Sequence, residues 1–290
     1  MTQNTTIARH SPLALWHLFS LDAPTVAALW TWFVARCCGV TLPRVAIPAM
    51  FLAVWILYAS DRLLDAQNAD PATLEERHHF HHRHRRVFIS FIAIAAVALA
   101  ALTPEMYPAA LRIYALLGGL LTGWFLIIHT RLAHERRLPK ELAVGIFFSA
   151  AIFIPTVSHR PDLRLPLLAP AVVFAAVCAL NCMYLYVWEH PRDRTNANWT
   201  TRIATHHLTL AVAIILTAAF AGIAPPAFPE LASKLSFPVM PSTWPIAAAC
   251  VVSTLLLVIL NRNRTKISAL NLRAAADLAL LTPILFLRVH

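Results

Sequence analysis

The feature that most limits this chain is a recurrence of apolar runs about as long as a membrane is thick. A helix needs about 20 mostly apolar residues to cross the hydrocarbon core. Nine stretches answer to that length: 22–41, 43–63, 87–104, 108–129, 140–158, 166–189, 207–224, 243–260 and 272–289. Hydrophobic residues make up 59% of the 290-residue chain and charged residues 13%, against about a quarter in soluble domains, and the mean hydropathy is +0.63. The sequence therefore predicts an all-α integral membrane protein of about nine transmembrane helices, a single polytopic domain over 1–290. Ahead of the first span, over residues 1–21, "SPLALWHLFSL" predicts a short interfacial helix with Trp16 and His17 at headgroup depth. The opening "MTQNTTIARHSP" lacks the basic, apolar and small-residue order of a cleavable signal peptide, so none is expected.

Charge sets the expected orientation. The formal net charge is +10. Basic residues cluster at the N-terminus and in the loops after spans two, four, six and eight, among them Arg83, Arg85, Arg86, Arg131, Arg136, Arg137, Lys140, Arg192, Arg194, Arg262 and Arg264. The other side has far fewer, such as Arg44, Arg112, Arg160 and Lys234. Lys and Arg collect on the cytoplasmic side, which predicts a cytoplasmic N-terminus in a bacterial inner membrane. It also accounts for the charge without a nucleic-acid partner. The five cysteines all fall inside apolar segments and read as small buried residues, with no disulfide framework or zinc site.

The second span ends in "WILYASDRLLDAQ", residues 55–67. Tyr58, Asp61 and Asp65 stand at positions i, i+3 and i+7, one face of a helix. Two carboxylates one turn apart repel each other unless a cation or Arg62 offsets them. Mg2+ suits such a pair, because it takes one or two carboxylates, keeps waters and accepts phosphate oxygens as further ligands. The plainer alternative is a span that ends there and meets water.

The sixth span ends in "ALNCMYLYVWEHPRD", residues 179–193. Asn181, Tyr184 and Trp188 share one face with Glu189 at its edge, and Pro191 stops the helix, leaving Asp193 in the loop. A buried Asn in a span either glues two helices together or faces a cavity. Two polar, tyrosine-lined helix ends on the same side suggest a two-sided pocket.

These stretches resemble the UbiA-type membrane prenyltransferases. "SDRLLDAQN" is similar to the end of that family's first motif, N-D-x-x-D-x-x-x-D. "LPKELAVGIFFSAAIFIP" (138–155) is similar to a common entry to its fifth helix, and "LNCMYLYVWEHPRD" occupies the place of its second motif, D-x-x-Y-x-x-x-D-x-x-x-D. The match is reduced. The first motif's leading Asn-Asp falls on Leu57 and Tyr58. In the second, the acids fall on Asn181, on Trp188 with Glu189 one residue away, and loosely on Asp193, while the tyrosine falls on Tyr184.

The resemblance implies about nine transmembrane helices around a central cavity and a reaction in which a polyprenyl group passes from an isoprenoid diphosphate to an aromatic or other lipophilic acceptor. It implies Mg2+ held by Asp61 and Asp65, with Glu189 and Asp193 around a second ion or an oriented water. Arg62, Arg131, Arg137 and Lys140 would contact the diphosphate, and Asn181 would line its pocket. Tyr58, Tyr184 or Trp188 would stabilise an allylic cation through their ring faces. Beside this stands a catalytically degenerate relative that binds lipid or acts as a scaffold.

Two other features invite a function. "ERHHFHHRHRR" (76–86) looks like a metal tract. Its arginines discourage a cation, so a solvated or lipid-contacting face is expected, and a metal transporter ranks last. Arg273 and Asp277, four apart in span nine, are expected to pair on their own helix.

Overall fold

The computed structural model describes residues 11–68, 80, 81, 83–129, 140–190, 199–223 and 243–287. Among the described residues all regular structure is helical. The helices are α1 (Pro12–Leu18), α2 (Asp22–Cys37), α3 (Ala46–Asn68), α4 (Arg85–Leu102), α5 (Pro108–His129), α6 (Lys140–His159), α7 (Leu168–Glu189), α8 (Trp199–His206), α9 (Leu208–Ile223), α10 (Trp244–Asn263) and α11 (Ala269–Leu278). Each of the nine expected stretches contains a helix. Among the described residues six segments are long and apolar enough to cross a membrane, or seven if α1 and α2 count as one bent span; α9 is apolar but shorter.

Local chemistry accounts for the breaks. Ser11 caps α1 by accepting from the Ala14 N–H at 3.1 Å, and Pro12 follows at the first helical position. At Ser20, φ is 58°, and the chain turns by 89° from α1 into α2. Gly39, with φ 64°, closes α2 in the left-handed conformation that glycine adopts without penalty. Its N–H donates to the Arg36 carbonyl at 3.0 Å and that of Val40 to Ala35 at 2.8 Å, the paired bonds of a Schellman cap. The last expected span, 272–289, is not one straight helix. It divides into α11 and a 3-10 turn at Thr282–Phe286, because Pro283 has no N–H to continue an α-helix.

Helix α2 lies at the centre, packed by α3, α6, α10 and α11. Trp30 anchors it: the indole is fully buried, donates to the Leu280 carbonyl at 2.7 Å and sits 4.1 Å from the Phe174 ring. Helix α4 packs on α3 and α5 on α6, each leaving a broad apolar face outward, with Ile94, Val97, Leu116 and Leu120 all well exposed. Such faces suit hydrocarbon, since a helix satisfies its own backbone there.

The tightest crossing joins α6 to α7. A Cβ added at Gly145 would collide with the Ala175 carbonyl oxygen and stand 3.1 Å from Ala179 Cβ. Gly145→Ala should therefore destabilise by about 1–3 kcal/mol, as overpacking does. Gly119→Ala on α5 meets open space and should stabilise by about 0.5–1 kcal/mol. Thermal unfolding of the two variants side by side checks the contrast.

Candidate functional site

The acidic end of α3 divides by helix geometry. Neighbouring residues stand about 100° apart around the axis, so Asp61 and Arg62 cannot face the same way. Asp61 is exposed and Arg62 is buried. The guanidinium donates to the His17 carbonyl at 2.8 Å, to the Tyr58 hydroxyl at 2.8 Å and to Asp22 Oδ2 at 3.4 Å. It also covers the Tyr58 ring, 4.3 Å from its centroid.

Asp22 opens α2, where the unpaired N–H groups and the helix dipole favour an acid. Its Oδ1 accepts from the Ala23 N–H at 3.0 Å and its Oδ2 lies 2.5 Å from His17 Nδ1. Asp277, midway along the last span, approaches from the other side. Its Oδ1 accepts from the Asn181 amide at 3.0 Å and its Oδ2 lies 3.9 Å from His17 Nδ1. One turn earlier on α11, Arg273 forms an ion pair with Glu189 at the end of α7. Helices α1, α2, α3, α7 and α11 thus meet in one buried polar centre. Its acids are Asp22 and Asp277 and its basic groups are Arg62 and His17, with the part-buried Arg273–Glu189 pair one turn away along α11. Burial of the Arg62 or Asp22 charge alone would cost several kcal/mol, so each holds the other in place.

Several sequence expectations change here. Arg273 and Asp277 take partners on α7 instead of each other, because the face they share is pressed against that helix. His17 is buried inside the protein and does not face outward, since α1 folds back across α11. His81 is not solvated: it is fully buried beneath the α1–α2 corner, its Nε2 3.2 Å from Ser20 Oγ and its ring 4.3 Å from Phe88. His84 is half-buried and donates to the Phe80 carbonyl at 2.9 Å; His78, His79 and His82 lie outside the described residues.

The remaining candidates are dispersed. Tyr184 is buried and stacks on Trp188 at 5.7 Å, while the Trp188 indole donates to Asn261 on α10 at 2.9 Å. Lys140 is exposed at the start of α6. Arg131, Arg137, Asp193 and the side chain of Asp65 lie outside the described residues. Asp22 is the group that sequence reasoning missed, because an acid at a helix start looks like an ordinary cap.

Among the described residues, fold and site together define a helical protein with six or seven helices apolar enough to cross a membrane, built around a buried ionic centre. No family model matches it, and none of the curated proteins or solved structures compared with it does so.

Proposed function

We propose that the protein is an integral membrane prenyltransferase of the UbiA type, moving a polyprenyl group from an isoprenoid diphosphate to a lipophilic acceptor. One observation carries the reading: α3 and α7, far apart in sequence, reach one polar centre, through Arg62 on one side and Asn181 on the other. Asp61 stands exposed at its rim, and α3 continues unbroken to Asn68, so Asp61 and Asp65 keep their one-turn spacing. Two carboxylates one turn apart on a helix suit Mg2+, which when bound would neutralise the diphosphate. Lys140, with Arg131 and Arg137 of the same connection, supplies positive charge for the leaving phosphate oxygens. The Tyr58 ring already carries Arg62, so stabilisation of an allylic cation falls to Tyr184 and the half-buried Trp188.

A specific observation favours the second reading, a lipid-binding relative without turnover. Glu189 is held by Arg273 and the Asn181 amide by Asp277, which leaves α7 little to offer a second ion. Purified protein in nanodiscs, given Mg2+ and labelled polyprenyl diphosphates, separates the two. Mg2+-dependent retention with diphosphate release on adding an aromatic acceptor supports the enzyme. Retention without release supports the binding protein, and no retention overturns both.

A further inference from the structure

We propose that the junction of α1, α2 and α11 is a proton-binding site, in which one exchangeable proton rides on Asp277 Oδ2 against the fixed Arg62–Asp22 pair. The inference stands apart from prenyl transfer and rests on how the donors of the centre are shared out. Asp22 is generously served: the Ala23 N–H reaches Oδ1, while His17 Nδ1 at 2.5 Å and the Arg62 guanidinium at 3.4 Å converge on Oδ2. Asp277 has the Asn181 amide on Oδ1, but its Oδ2 is buried and accepts no hydrogen bond from any described residue. The residue is only 8% exposed. An ionised carboxylate would leave that oxygen buried without a donor.

A proton on Oδ2 removes the difficulty. The carboxyl becomes a neutral donor, and the acceptor it faces is Asp22, which offers a carboxylate oxygen within 4.8 Å, since His17 Nδ1 already donates to Asp22. The basic groups around Asp277 are committed elsewhere: His17 Nδ1, 3.9 Å from Oδ2, is drawn to Asp22 at 2.5 Å. Helix α1 brings His17 and α2 brings Asp22; α3 brings Arg62 and Tyr58, both tied to one another. Helix α7 brings Asn181 and the thiols of Cys178 and Cys182, and Arg273 on α11 itself is bound to Glu189. A divalent metal fits poorly in the same place. A guanidinium lies 3.4 Å from one would-be ligand oxygen, and the imidazole nitrogen that would coordinate is engaged at 2.5 Å. Two like charges this close are relieved by one shared proton.

Infrared spectroscopy of the full-length protein in lipid nanodiscs tests this. The wild type should show a protonated-carboxyl C=O stretch at neutral pH that shifts when aspartate is isotope-labelled. Asp277→Asn should lose the band, and Glu189→Gln should keep it. Replacing a neutral acid by an amide should leave the melting temperature nearly unchanged, whereas Asp22→Asn should lower it. Absence of the labelled band in the wild type overturns the proposal whatever the variants do. Its persistence in Asp277→Asn, or saturable stabilisation by Zn2+ or Mn2+ that Asp277→Asn removes, does so as well.

Discussion

Replacing Arg62 by methionine is expected to cost the folded protein about 3–5 kcal/mol, the range for removing one partner of a buried ion pair. The Arg62 and Asp22 side chains are 4% and 0% exposed, so neither can turn to water when the other is lost. Methionine nearly fills the space, which makes the loss electrostatic. Two further acceptors, the His17 carbonyl and the Tyr58 hydroxyl, would lose their donor. Arg62→Lys should fall between, since one ammonium cannot reach all three partners with the planar fork of a guanidinium. Adding Asp22→Asn to Arg62→Met should recover part of the loss by removing the orphaned charge. Thermal unfolding in detergent micelles reads all of these. A neutral Arg62→Met would mean that the pair is not desolvated.

One residue away, Asp61→Asn should do the reverse. Asp61 is exposed, so stability should change by no more than about 0.5 kcal/mol. Mg2+-dependent retention of a polyprenyl diphosphate should instead fall by at least the ~10–100-fold that loss of even an outer-shell partner costs a metal site. The substitution keeps the shape and removes the charge, so the loss would be electrostatic. Retention that survives Asp61→Asn would place the ion elsewhere, and the case for Asp61 and Asp65 as its ligands would end.

The contrast between these neighbours shows what was legible in the sequence. Apolar runs marked the helices, but the stops at Gly39 and Pro283 went unread, since the expected spans 22–41 and 272–289 run through both. The polar positions on α3 and α7 also stood out, because charge and amide groups are costly in apolar runs. Their partners did not. Whether Asp61 or Arg62 turns inward is decided by Asp22, 40 residues away, and Asn181 meets a partner 96 residues away. Helical periodicity says which residues share a face and nothing about what that face meets. Arg273 and Asp277 show the same limit: their spacing permits a local pair, and packing against α7 supplies other partners. His17 and His81 look like surface groups by composition, and only the right-angled turn at Ser20 buries them.

Whether α3 and α7 share one centre is tested most directly by a double-mutant cycle between them, read as thermal or denaturant unfolding. Arg62→Lys on α3 and Asn181→Ala on α7 are mild changes at the two ends of the chain Arg62–Asp22–His17–Asp277–Asn181. A shared centre predicts that the double variant departs from the sum of the singles by about 0.5–3 kcal/mol. Additivity within about 0.3–0.5 kcal/mol, the behaviour of independent sites, would contradict it.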